Sequence, residues 1–127
     1  MKKPELLCIG HRGAMGYAPE NTLASIRKAL ELGTPCIEVD VYSVDAHLVV
    51  FHDTRIDRMT NAEGYLTEQS FDYLRSLDVG DDETIPTLEE VCDALADDTC
   101  LNIELKGPDT AEPVVALIKK YVSLGWN

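Results

Sequence analysis

Cys36-Ile37-Glu38-Val39-Asp40-Val41-Tyr42 decides the fold: Ile37, Val39 and Val41 alternate with Glu38, Asp40 and Tyr42, the period of two that marks a strand with unlike faces. Central strands of a doubly wound sheet pack helices on both sides and read as nearly continuous apolar runs, which this one does not. One face suits a cover of helices. The other carries carboxylates that need water or a metal ion, because an unpaired buried carboxylate is costly or takes up a proton. The alternation returns at Cys100 to Lys106, where Leu101, Ile103 and Leu105 oppose Asn102, Glu104 and Lys106. A barrel mouth supplies the wet interior that both strands require.

Outward from this strand, Leu6 to Ile9 reads as a short first strand that stops at Gly10. After Pro19-Glu20, Asn21 or Thr22 can cap a helix with Leu23, Ile26 and Leu30 on one face and Gly33 at its end. Ser43 to His47 leads into Leu48-Val49-Val50-Phe51, the return arm of a hairpin. A three-residue turn makes opposed residue numbers sum to 90, so that Glu38 faces His52 and Asp40 faces Val50. A two-residue turn would send His52 to the other side. His47, in or beside the turn, is given no role. Thr67 is a candidate cap for a short helix with Phe71, Leu74 and Leu77, and Asp78 to Glu83 reads as a flexible acidic loop. Thr87 and Glu90 have capping-box spacing, and Pro113 suits the first turn of a last helix. Strands alternating with helices give a parallel α/β architecture.

Composition narrows the function. The chain has 127 residues, 45% apolar and 27% charged, which suits one soluble domain. Eleven basic against 23 acidic residues, a net charge of -12, argue against nucleic-acid binding. A phosphate substrate would need a few local cations or a metal to overcome that field. No apolar run approaches the roughly 20 residues of a spanning helix. Lys2 and Lys3 precede Leu6 to Ile9, a run about half as long as a signal-peptide core, so no export signal is expected. Cys8, Cys36, Cys92 and Cys100 lack metal-binding or redox spacing and read as reduced, buried thiols of a cytoplasmic protein.

His11-Arg12-Gly13 follows the first strand, where α/β enzymes concentrate functional groups, although a solvated loop explains the tripeptide equally simply. Glu38 and Asp40, two apart on a strand, project to one side and can clamp a hard cation; salt bridges to Arg12 or Lys106 are the plainer alternative.

Together, His11-Arg12-Gly13, Glu20-Asn21-Thr22, Glu38-x-Asp40, Val49 to Asp53, Ile85 to Glu89 and Asn102 to Lys106 stand in an order and spacing that resembles the glycerophosphodiester phosphodiesterase family. The resemblance implies an α/β fold of the TIM-barrel (β/α)8 type and hydrolysis of glycerophosphodiesters to glycerol 3-phosphate and an alcohol. It implies one divalent cation, Ca2+ or Mg2+, on Glu38, Asp40 and Glu104. It also implies His11 and His52 as the acid/base pair and Arg12 and Lys106 on the phosphate. Glu20 and Asn21 fit supporting positions behind these groups, Asn21 as a helix cap and Glu20 as a partner of Arg12. Residues 54–86 fit a shortened insertion over the barrel mouth, which leaves the alcohol headgroup open. A complete barrel needs about 250 residues, so residues 1–127 correspond to about the first half of one, the N-terminal part. Its open edges are expected to be covered by self-association or by a C-terminal half. Two alternatives stand beside the hydrolase: a non-catalytic fragment that binds a cation or anionic ligand, and a related phospholipase or phosphodiester lyase.

Overall fold

The computed structural model describes Met1 and residues 5–126. Lys2, Lys3 and Pro4, on which the export-signal reading leans, and Asn127 lie outside the described residues. The elements in chain order are β1 (Ile9–His11), α1 (Leu23–Glu31), β2 (Cys36–Val44), β3 (His47–Val50), a 3-10 turn (Leu66–Glu68), α2 (Phe71–Ser76), α3 (Leu88–Ala94), β4 (Cys100–Leu105) and α4 (Ala111–Ser123).

β2 is the central strand. It pairs parallel with β1 along its first residues, antiparallel with β3 along its last, and parallel with β4. The Asp40 carbonyl accepts from Phe51 N–H at 3.0 Å and the Val41 carbonyl from Lys106 N–H at 2.8 Å. Consecutive carbonyls of a strand point to opposite edges, so β1 and β3 share one edge of β2 and β4 takes the other. The sheet is open, with β1 and β4 each paired on one side only among the described residues.

The two faces of β2 go to different places. Ile37, Val39 and Val41 join Val50 in a cluster covered by Ile26 and Ala29 of α1, Leu88 and Val91 of α3, and Val114 and Tyr121 of α4. At the hairpin end, Tyr42, Val44, Val49 and Phe51 enter a second cluster with Ile56, Leu66, Leu74, Val79 and Ile85. Residues 54–86 therefore fold over the hairpin on a core of their own. Thr87 makes the expected capping box with Glu90, and Arg75 of α2 grips the same Glu90 at 2.7 Å.

Several local expectations are corrected. β1 starts at Ile9 rather than Leu6, because the sheet partner of that end of the chain, β2, begins at Cys36 opposite Ile9. Thr22, not Asn21, caps α1. Ser70, not Thr67, caps α2, and Thr67 lies in the 3-10 turn. Residues 78–83 form a closed turn in which Val79 N–H donates to the Glu83 carbonyl and Glu83 N–H to the Gly80 carbonyl. The four thiols are free, but Cys8 and Cys100 are exposed, Cys100 at the first position of β4 and Cys8 just before β1. No helix among the described residues is long and apolar enough to cross a membrane.

The hairpin register is the largest correction. Val41 opposes Val50 and Val44 opposes His47, so paired numbers sum to 91 and the turn has two residues, Asp45 and Ala46. Both are left-handed, at φ 51° and 61°, as the twist of a two-residue hairpin demands. The proposed pairing of Glu38 with His52 does not exist. Ala46 bears a Cβ in a conformation that costs an ordinary residue about 1 kcal/mol or more. Ala46→Gly is expected to raise stability by about 0.5–1 kcal/mol in urea denaturation; a lower midpoint at equal slope would contradict this turn.

Candidate active site

The parallel register stacks one face of β1, β2 and β4 in layers. Ile9, Cys36 and Cys100 form the lowest, His11, Glu38 and Asn102 the next, and Asp40 and Glu104 the one above. The period of two repeats each layer on the same face, which places every candidate carboxylate there. Glu38, Asp40 and Glu104 each offer an oxygen within 4.8 Å of the others. Glu38 and Asp40 are buried, whereas Glu104 is exposed.

Asp40 is the most enclosed of the three. Its Oδ2 accepts from Asn21 Nδ2 at 3.1 Å and lies 3.6 Å from Arg12 Nε. Lys106 Nζ stands 3.9 Å from Oδ1 and 2.9 Å from the Glu104 carboxylate. Salt bridges to Arg12 and Lys106, the plainer alternative to a cation clamp, are thus present. They do not use up the site. Among the described residues, Asp40 Oδ1 and Arg12 Nε are the buried side-chain polar atoms with no hydrogen-bond partner. Leaving such an atom unsatisfied costs about 1–3 kcal/mol, so two adjacent ones of opposite charge mark a place that stability does not explain. Burial pushes the Glu38 carboxyl above its ordinary range, the Asp40 charge adds to this, and the Arg12 N–H pulls it back. Glu104 is held below the usual range, first by its hydrogen bond with Lys106. Three clustered carboxylates, two of them buried and one of these with an unpartnered oxygen, are a hard donor set that fits a divalent cation.

Gly13 lets the first loop lie against α1, since a Cβ there would collide with Ser25 Oγ. The loop then turns through Arg12 and Asn21, both left-handed at φ 53° and 55°. Asn21 uses that conformation to bracket Asp40: its Nδ2 donates to the carboxylate, and its Oδ1 accepts from Asp40 N–H at 3.4 Å. Its side chain is thus engaged by Asp40, while Thr22 caps α1. Glu20 accepts from Arg12 Nη1 at 2.8 Å, as expected.

His52 reaches the site by a route that the hairpin register does not provide. The ladder ends at Val50, so alternation no longer governs the chain. His52 lines a groove with Tyr42, Asp53, Thr54, Arg55 and Lys106. Its Nδ1 lies 2.7 Å from Asp53 Oδ1. Arg58 holds Asp53 through Nε at 2.8 Å and Nη2 at 3.0 Å, and the same guanidinium meets both oxygens of Glu20 at 2.8 Å. The Arg58 hydrogen bonds, followed by that of His52, hold the Asp53 carboxyl down to about 2. Asp53 stands in the quoted Val49 to Asp53 stretch without a role assigned to it, and Arg58 escapes the sequence because residues around it are irregular and nothing local announces a cation that bridges to Glu20. His11 is exposed beside Glu38 in the layer below.

Residues 11–127 match the profile of the glycerophosphoryl diester phosphodiesterase family. The chain belongs to that family. It is 40% identical to a glycerophosphodiester phosphodiesterase of Caldanaerobacter subterraneus over 129 positions, 91% of this chain and 53% of that relative. It is 34% identical to human glycerophosphodiester phosphodiesterase 1, over 94% of this chain and 39% of that one. Among solved structures, an Oleispira antarctica phosphodiesterase in complex with the product sn-glycerol-3-phosphate aligns at a TM-score of 0.81 and 35% identity, covering 94% of this chain and 52% of that one. The glycerophosphodiester phosphodiesterase of Thermotoga maritima aligns at 0.83 and 32% identity, over 94% and 52%. The chain spans about half the length of these bacterial relatives, so its open sheet is about half of a TIM barrel.

The Asp53 geometry has a pH signature. A carboxyl held at about 2 against an ordinary 3.8 binds protons less tightly when folded than when unfolded. Asp53 therefore contributes stability above about pH 4 that is lost as the pH falls toward 2. Asp53→Asn is expected to lower the denaturation midpoint near pH 6, with the difference from the parent protein closing over that acid interval. A constant difference down to pH 2 would show that the shift is absent.

Proposed function

We propose that this chain carries the reaction centre of a metal-dependent glycerophosphodiester phosphodiesterase, which hydrolyses its substrate to glycerol 3-phosphate and an alcohol. The observation that carries the reading is the adjacency of two unsatisfied buried atoms of opposite charge, Asp40 Oδ1 and Arg12 Nε, within the Glu38, Asp40 and Glu104 cluster. One suits a cation and the other an oxyanion. Glu38, Asp40 and Glu104 would hold Ca2+ or Mg2+. Bound there, the ion would withdraw charge from a non-bridging phosphate oxygen.

The chain's own groups supply the rest. Arg12, with an unpartnered Nε, and Lys106, beside Asp40 and Glu104, would meet the phosphate, so the added charge of a pentavalent transition state would be stabilised locally despite the net charge of -12. His11, opposite Glu38, and His52, in the groove with Lys106, would serve as acid and base. One removes a proton from the attacking oxygen; the other gives one to the leaving alkoxide, each worth about 10² to 10⁴ in rate. An ionised carboxylate only accepts hydrogen bonds, so Asp53 requires the proton on His52 Nδ1 and leaves Nε2 for this exchange. Residues 1–127 form the N-terminal part of the barrel in this reading, with 54–86 as the insertion over its mouth.

Incubating the 127-residue protein with glycerophosphocholine, with and without Ca2+ or Mg2+, is expected to release glycerol 3-phosphate only with metal. The His11→Ala/His52→Ala double variant is expected to lose at least about 10²-fold of this rate. Equal release from both proteins would refute the assignment, and a cyclic phosphate that persists would mark a lyase. Millimolar Ca2+ or Mg2+ is also expected to raise the melting temperature, an effect that Asp40→Asn abolishes. A metal-independent melting curve would remove the ion from the reading.

A further inference from the structure

Among the described residues, Arg58 is the one cation that binds both Asp53 and Glu20, and it does so without touching the carboxylate trio. Four of its five N–H donors are used: Nε and one Nη2 hydrogen grip the two oxygens of Asp53 at 2.8 and 3.0 Å, and Nη1 and the other Nη2 hydrogen grip the two oxygens of Glu20, both at 2.8 Å. Each carboxylate passes the constraint on. Asp53 Oδ1 also takes His52 Nδ1 at 2.7 Å, and Glu20 Oε2 also takes Arg12 Nη1 at 2.8 Å. A continuous chain of hydrogen bonds thus joins His52 to Arg12 through one planar guanidinium.

Anchoring residues 54–86 does not require such a fork. That segment already buries Ile56, Leu66 and Leu74 completely against the hairpin. The Arg58 side chain is 49% exposed, where solvent weakens what its ion pairs add to that anchoring. What the planar fork adds is geometry, because two bidentate pairs fix the angle between two carboxylates in a way that the single rotatable ammonium of lysine cannot. We propose that Arg58 is a positioning residue, which holds the His52 imidazole and the Arg12 guanidinium in one fixed relation and so ties residues 54–86 to the reaction centre. The catalytic meaning of that link rests on the phosphodiesterase reading above; the link itself does not.

The test reads the His52 ring directly, by long-range 1H–15N spectra of the 127-residue chain above the imidazole titration, with exposed His47 as the internal reference. The parent protein is expected to show His52 protonated on Nδ1. Arg58→Ala is expected to move it toward the Nε2-protonated form that an unconstrained histidine side chain favours, and Arg58→Lys is expected not to restore the parent state. In turnover, both variants lose about 10- to 100-fold in kcat, and millimolar guanidinium restores part of the loss in Arg58→Ala. Should Arg58→Ala fail to fold by circular dichroism, Arg58→Gln takes its place with the same readout. An unchanged His52 tautomer in a folded variant overturns the proposal, as does full activity of Arg58→Lys. A tautomer shift in a protein that shows no turnover supports the positioning link and counts against the phosphodiesterase reading instead.

Discussion

The structure is organised around a buried carboxylate. Asp40 sits at the middle of the central strand with its side chain 1% exposed, on a strand whose opposite face is the apolar core. A lone carboxylate at that depth would protonate or unfold its surroundings. It is kept by Asn21 and Arg12 of the first loop and by Lys106 after β4, groups that converge only because β1, β2 and β4 lie side by side. Meeting Asp40 forces Arg12 and Asn21 into left-handed backbone, a conformation that persists where neighbours over-determine it. Here the Arg12 carbonyl is held by Asn21 N–H and Ser25 Oγ, both at 2.9 Å. The first loop is shaped by a side chain on another strand.

That arrangement also reconciles an acidic protein with the phosphate chemistry proposed for it. The net charge of -12 is spread over helices and loops, while Arg12, Arg58 and Lys106 gather within hydrogen-bonding reach of the same rim. Each is bound to a carboxylate. Their charges are therefore fixed in direction before any anion arrives, which is what makes a few cations effective against an unfavourable surrounding field.

Much of this is legible in the residue order, and the failures have physical causes. Alternation at 36–42 and 100–106 identifies both strands and the face that holds Glu38, Asp40 and Glu104, because pleat geometry admits no other outcome. The Thr87 capping box is equally local. The hairpin register is not, since Asp45-Ala46 lacks the glycine that usually announces a two-residue turn, and one residue of slip reverses every side chain. His52 meets Lys106 in one groove all the same, because it lies beyond the paired part of β3. Asn21 misleads for a different reason: asparagine is a good cap, and only the tertiary approach of Asp40 diverts it. Arg58 joins groups 38 residues apart, which no periodicity encodes.

β2 is shared by two apolar clusters that hardly mix, the lower one under α1, α3 and α4 and the upper one under residues 54–86. Cooperative units of this kind open independently in amide exchange. The upper unit can therefore loosen as a sub-globular event while the carboxylate-bearing half of the strand stays closed. Changes of length in residues 54–86 that spare Arg58 are then tolerated without unfolding the strands beneath, so one scaffold can vary its upper layer and keep the carboxylate face intact.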